Sequence, residues 1–215
     1  VWRERRAAFG ELVLMDTSDH DWLEGRGPRL YLVAMIDDAT SRLWGRFVET
    51  DSTEENLRTL RGWLELYGRP LALYTDKNSI FQTARSAEQI DRDGPPPPTH
   101  FGAALEELRI EWIPAHSPQA KGRVERSFDT LQDRLVKEMR IAGVCSSDQA
   151  DRFFHERFLP FWNERFTKQP RSSHNAHRPL GALRLDSVLC KRHPRKVTSD
   201  YTLSLDGERW LIPKA

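Results

Sequence analysis

The apolar positions fall into short blocks whose spacing switches between two periods. Glu11-Leu-Val-Leu-Met-Asp16 and Leu30-Tyr-Leu-Val-Ala-Met-Ile-Asp37 are apolar on both faces and stop at carboxylates, the pattern of strands buried on two sides. Between them, Asp21-Trp-Leu-Glu-Gly-Arg-Gly-Pro28 marks a turn through its glycines and proline. Arg42-Leu-Trp-Gly-Arg-Phe-Val-Glu49 alternates, which predicts a third strand joined to the second by a short hairpin. Asp51-Ser-Thr-Glu-Glu55 supplies a capping hydroxyl and first-turn acids. Leu57, Leu60, Leu64 and Tyr67 then recur at helical spacing until Gly68-Arg-Pro70. Leu71-Ala-Leu-Tyr-Thr75 is a fourth apolar strand that stops at Asp76, and Ile110-Glu-Trp-Ile-Pro114 a fifth, with a helix through Phe101, Leu105 and Leu108 before it. After His116-Ser-Pro118, the positions Val124, Phe128, Leu131 and Leu135 make the buried stripe of a long helix. A further helix is expected over 148–166, broken near Pro160. Tyr201-Thr-Leu-Ser-Leu-Asp-Gly-Glu-Arg-Trp-Leu-Ile212 reads as a hairpin turning at Asp206-Gly207.

This order predicts an α/β fold: a mixed five-stranded sheet, a three-strand antiparallel meander plus two further strands, flanked by helices. The 215 residues, 38% hydrophobic and 30% charged, suit one substantial domain with an appendage and argue against wholesale disorder. The longest apolar run, Leu30 to Ile36, is far short of a membrane helix. Cys145 and Cys190 are the only two cysteines and form no Cys-x-x-Cys pair, so neither a disulfide framework nor a cysteine zinc site is expected. A reducing, cytoplasmic setting follows as the expectation.

The net charge of +1 hides an asymmetry. Residues 11–60 carry 11 acids and 5 bases, a net of −6, whereas residues 165–196 carry 9 bases and the single acid Asp186, a net of +8. An acidic body with a basic strap suits a protein that gathers cations in one place and phosphates in another, although such a strap can equally be a solvated linker. Within the acidic body, Asp16 ends the first apolar block, Asp76 the fourth, and Glu125 lies in the first turns of the long helix. Strand ends and an adjoining helix start can converge in a sheet of this kind. Converging carboxylates repel, which is tolerable chiefly with cations present, and hard oxygen ligands suit Mg²⁺ or Mn²⁺. The plainer alternative is that Asp16 and Asp76 are strand-end caps and Glu125 a surface residue.

Four strings narrow the choice: Leu14-Met-Asp-Thr-Ser-Asp-His-Asp-Trp22, Ile36-Asp-Asp-Ala-Thr-Ser-Arg42, Tyr74-Thr-Asp-Lys-Asn-Ser79 and His116-Ser-Pro-Gln-Ala-Lys-Gly-Arg-Val-Glu-Arg126. In this order they resemble the integrase-type catalytic core of bacterial DDE transposases, and within it the ISNCY-type insertion-sequence transposases. The resemblance covers residues 11–140. It implies an RNase H-like fold, a catalytic and metal-binding triad of Asp16, Asp76 and Glu125, two Mg²⁺ ions (with Mn²⁺ as substitute), and cleavage and joining of double-stranded DNA by a homo-oligomer. The 48 residues between Asp76 and Glu125 exceed the roughly 35 typical of the retroviral pattern, and the proline-rich loop around Pro95 accounts for the excess, since long surface insertions cost little.

Lys121, one turn before Glu125, is placed with Arg123 and Arg126 against DNA phosphates, and His20 and Asn78 are further candidate DNA contacts. Each has a structural alternative: a solvated helix face, or a hydrogen bond at a strand end. Asp37 and Asp38 are expected to shape a hairpin, and Trp22, Trp44 and Trp63 to be core. The expected organisation is a catalytic core over 1–145, a trailing helix over 146–166, a basic linker over 167–196 and the start of a truncated β domain over 197–215. No helix-turn-helix reader is evident, so a catalytic fragment is expected. Rival readings are an RNase H-like nuclease that cuts without joining, and a DNA-binding module that no longer catalyses.

Overall fold

A computed structural model describes residues 4–76, 80–81, 97–115, 118–193 and 195–213, the side chains of 118–125 excepted. Its main sheet contains β1 (Leu12–His20), β2 (Leu30–Asp37), β3 (Leu43–Val48), β4 (Ala72–Thr75) and β5 (Glu111–Pro114) in the order β3-β2-β1-β4-β5. β1, β2 and β3 are the antiparallel meander, while β4 and β5 add parallel to β1 and to each other. Parallel neighbours need crossovers, and helices α1 (Thr53–Tyr67) and α2 (His100–Glu107) lie in them. Both start as the sequence predicts: Ser52 Oγ accepts from the Glu55 amide, and Thr99 Oγ1 from that of Gly102.

The first strand runs further than its apolar block. β1 continues four residues beyond Asp16, because β2 keeps pairing with it as far as His20↔Leu30, whereas β4 pairs only as far as Leu14↔Tyr74. Asp16 is therefore interior to one ladder and just past the end of the other.

Strand alternation splits the core in two. On one face Val13, Met15, Val33 and Met35 meet Leu57, Leu60 and Trp63 of α1 and Phe101 and Leu105 of α2. On the other, Leu12, Leu14, Ala72 and Tyr74 meet Phe128, Leu131 and Leu135 of the long helix α3 (Pro118–Ile141). Trp22 and Trp63 are fully buried; Trp44 is half-buried, its indole donating to the Thr59 carbonyl at 3.0 Å.

The expected trailing helix is three pieces: α4 (Ser147–Phe153), a π-helical turn (Phe154–Phe158) and α5 (Leu159–Phe166). Pro160, inside the start of α5, has no N–H to give and would clash with the preceding turn, and the wider turn sits just ahead of it. The wide turn also sets a register. Asp151 accepts from the Phe47 amide at 2.9 Å, while Asn163 both accepts from the Leu43 amide at 2.8 Å and donates to the Leu43 carbonyl at 3.0 Å. These side chains cap the outer edge of β3. Their separation of twelve positions (163 − 151) is a third of a turn out of line in an unbroken α-helix, and the π turn takes up the difference.

Residues 168–193, basic in sequence, lie along the core. The Ser172 amide donates to the Ala7 carbonyl at 2.9 Å, Phe9 bridges Asn175, and Arg69 bridges Arg178. His177 packs against Phe9, Trp63 and Tyr67. A short helix α6 (Leu185–Val188) adds Leu185 and Val188 to the α1 side of the core. Beyond it, β6 (Thr202–Leu205) and β7 (Glu208–Leu211) form the expected hairpin, with Asp206 (φ 51°) and Gly207 (φ 84°) in the left-handed turn.

Candidate active site

Sheet register bears on two of the three acids singled out in sequence. Leu14 pairs with Tyr74 as the last rung of the parallel β1–β4 ladder, and two residues further on come Asp16, still within β1, and Asp76, the first residue past β4. By alternation both belong to the face of Leu12, Leu14, Ala72 and Tyr74, the face that α3 covers. Both are half-buried, open enough for water or a phosphate oxygen to reach them.

Their backbones are fixed from behind. The Thr17 amide donates to Asp16 Oδ1 at 3.0 Å. Thr17 Oγ1 donates to Asp51 at 3.3 Å, and the buried Asn56 amide donates to the same Asp51 oxygen at 2.7 Å, tying the start of α1 to β1 one residue past Asp16. Beside Asp76, the Trp112 indole donates to Thr75 Oγ1 at 2.9 Å, and that hydroxyl donates to the Asp76 carbonyl at 2.8 Å. Neither Asp51 nor Trp112 was legible as a support. Asp51 reads in sequence as part of a helix start, and Trp112 as a strand residue.

Helix α3 is held over this face by packing and by a polar contact, Gln132 Nε2 donating to Ser18 Oγ at 3.0 Å. Glu125 belongs to the same helix, seven residues and so two turns before Gln132 on one stripe. The side chains of Lys121, Arg123 and Glu125 lie outside the described residues, as does Asn78 altogether. Arg126 is exposed on α3. His20, at the end of β1, packs edge-on against Trp22 at 5.3 Å between ring centroids.

The other acids of the region are structural. Asp37 is fully buried and accepts from the Gly10 amide (2.9 Å) and from the Thr40 amide and hydroxyl (2.7 Å each), so it shapes the β2–β3 hairpin as expected. Burial pushes its carboxyl up, against those hydrogen bonds. Asp19 is held below the usual carboxylate range by its hydrogen bonds from Arg29. Among the described residues no group of three or more His, Cys, Asp or Glu side chains is arranged to hold a metal.

The fold defines a class. A chain of the simian T-cell lymphotropic virus intasome, solved with PP2A regulatory subunit B56 gamma, matches with TM-score 0.55 and 16% identity over 98% of this chain and 69% of that one. The HTLV-2 integrase catalytic core domain, solved with magnesium in a dimeric form, matches with TM-score 0.52 and 14% identity over 71% of this chain and 90% of that one. The fold is thus the RNase H-like fold of integrase catalytic cores. In sequence the chain is 43% identical over 213 residues to y4bF of Sinorhizobium fredii, a protein assigned as a transposase, covering 98% of this chain and 46% of that one. It is 32% identical over 213 residues to the transposase for insertion sequence IS1202 of Streptococcus pneumoniae, covering 98% of this chain and 44% of that one. No family model matches the chain. In fold the chain is similar to integrase catalytic cores and in sequence to transposases, and it spans a little under half the length of the curated relatives it matches.

Proposed function

We propose that this chain is the DNA-cleaving and strand-joining core of a transposase, with Asp16, Asp76 and Glu125 as its catalytic carboxylates. The observation that carries the reading is the register that leaves Asp16 and Asp76 each two residues beyond the last rung of the β1–β4 ladder, on the face covered by the helix to which Glu125 belongs. The chemistry that suits this arrangement is in-line attack of an oxygen nucleophile on a DNA phosphodiester. Water attacks first and frees a 3′-hydroxyl; that hydroxyl then attacks a second phosphodiester. Each step breaks one P–O bond as it makes another, so no ATP is required.

Two half-exposed acids, each two residues beyond the last rung of that ladder, fit a hard divalent cation, and the relative solved with magnesium supports the same choice. Asp16 and Asp76 would hold it, with Glu125 completing the set. Bound there, Mg²⁺ or Mn²⁺ supplies Lewis-acid polarisation of the phosphate and a more acidic nucleophile. The chain's own part is to fix the carboxylates: Thr17 orients Asp16, and the Trp112–Thr75 pair orients the backbone of Asp76. Arg126, with Lys121 and Arg123, would meet flanking phosphates. Double-stranded DNA is the partner, a homo-oligomer the working form and the cytoplasm the setting; no helix among the described residues is long and apolar enough to cross a membrane.

Nicking of supercoiled plasmid DNA with Mg²⁺ or Mn²⁺ tests the reading. Wild type is expected to nick, and Asp76→Asn to bind the plasmid equally well without nicking it. Equal nicking by both proteins would remove Asp76 from the site, and cleavage that never yields joined products would favour a nuclease.

A further inference from the structure

Beside the carboxylate pair lies a cleft of about 290 Å³ between α3, α5 and the β2–β3 hairpin. Three basic residues from distant parts of the chain line it, Arg5, Arg126 and Lys168, with the hydroxyls of Ser41, Ser127 and Thr130. Leu14 and Trp162 also line it. Leu14 is two residues before Asp16 on the same face of β1, and Arg126 follows Glu125 directly, so the cleft adjoins the proposed site.

The acids that line it accept from backbone and hydroxyl donors. Asp37 takes its three hydrogen bonds from Gly10 and Thr40, and Asp38 Oδ2 accepts from the Arg6 amide at 2.7 Å. Arg5 donates from Nη1 to the Asp38 carbonyl (2.9 Å) and to Ser41 Oγ (2.8 Å), which holds its guanidinium at the rim. The Lys168 amide donates to the Thr40 carbonyl at 2.7 Å and pins that residue to the hairpin, while its ammonium forms no ion pair among the described residues. Two polar groups nearby are buried without a partner among the described residues: the indole N–H of Trp162, a residue only 4% exposed, and the hydroxyl of Thr167. Buried donors left unsatisfied are rare in native proteins and call for an explanation. Converging cations, hydroxyls and an unsatisfied N–H suit a ligand that is anionic and rich in acceptor oxygens.

We propose that this cleft binds a phosphodiester of the DNA strand running past the proposed catalytic carboxylates, gripped by Lys168, Arg5 and Arg126. The assignment rests on the transposase reading and adds to it a phosphate-binding position built from three separated segments. Fluorescence anisotropy with a fluorescein-labelled 30-base-pair duplex, in EDTA across a range of NaCl concentrations, measures it apart from catalysis. Lys168→Gln is expected to weaken binding about tenfold at moderate salt and to flatten the plot of log affinity against log salt by about 0.9, the effect of one lost phosphate contact. Its melting temperature should be unchanged. Lys137→Gln, on α3 three turns beyond Arg126, is the control for simple loss of charge and is expected to change both quantities much less. Equal losses in the two variants, or wild-type affinity and slope in Lys168→Gln, would overturn the cleft assignment while leaving the functional reading intact. A wild-type protein that binds no duplex at all would overturn both.

Discussion

Three rungs of the β1–β2 ladder separate Asp37, level with Val13, from Asp16, level with Ala34. Asp37 is buried, and three donors converge on it from the N-terminal segment and the hairpin. Asp16 is half-exposed, two residues beyond the last rung of the ladder to β4, and the same step beyond that rung on the other strand leads to another carboxylate, Asp76. One carboxylate is surrounded by donors that the fold must satisfy; the other, in the proposed site, would stand close to a second carboxylate. A buried acid with converging donors holds the chain together. Acids gathered in one half-exposed place cost stability and are explained by what they bind.

That contrast is broken or sharpened most strongly by removing charge at each place. Asp16→Asn and Asp76→Asn are each expected to lower plasmid nicking by about 10³-fold, in the range for losing a principal electrostatic group at a reacting phosphate. The same substitutions should leave the melting temperature unchanged or raise it slightly, because one like charge has gone. Thermal melting alongside the nicking assay reads both, and a large drop in melting temperature would show Asp16 and Asp76 to be structural acids like Asp37.

Asp37→Ala is expected to do the reverse at the level of folding. It strands the Gly10 amide and both Thr40 donors in a buried hairpin, a loss of about 3 kcal/mol. Urea unfolding of the variant checks this. A loss below about 1 kcal/mol would mean that water replaces the carboxylate.

Much of this was legible beforehand. The meander, the two parallel strands and the long helix follow from apolar periodicity, and the Asp206-Gly207 hairpin from its turn residues. That Asp16 and Asp76 each follow an apolar block is plain in the sequence, and the ladder that ends at Leu14↔Tyr74 leaves both two residues beyond it. Sequence could not show what depends on contacts between distant segments. The charge of residues 165–196 is plain, but not that Asn175 bridges Phe9 or that His177 lies among three aromatic rings. Arg5, Arg126 and Lys168 share a cleft only because the chain returns to the hairpin after α5. The π turn escaped notice because Pro160 forecasts an interruption without specifying its form.

His177 extends the comparison to a titratable group in the returning strap. The Trp63 indole donates to its Nε2 at 3.1 Å, so that nitrogen carries no proton, and Nδ1 lies 2.8 Å from Asn175 Oδ1. Burial lowers its pKa to about 4 from the usual 6.5. The unfolded chain therefore binds a proton that the folded one refuses between those values. Stability from this group is full above pH 6.5 and is lost as the pH falls toward 4. Allowing for partial exposure, the loss is roughly 1–3 kcal/mol. His177→Gln should be less stable than wild type at pH 7.5 and nearer to it at pH 4.5 by urea unfolding; a gap that does not narrow on acidification would show that the imidazole is not what titrates.

The smallest effect concerns the edge of the sheet. Asn163 satisfies both backbone groups of Leu43 on the outer side of β3, a position otherwise open to pairing with another chain. Asn163→Ala removes one donor and one acceptor from half-buried surroundings, where water can partly replace them, so the expected cost is about 1 kcal/mol. Its second consequence is more telling. An uncapped edge strand is a template for strand addition, so the variant should self-associate at concentrations where wild type does not. Sedimentation velocity on the two proteins at matched concentration separates these outcomes. Unchanged association would mean that Asp151, still bonded to the Phe47 amide, is enough to close the edge.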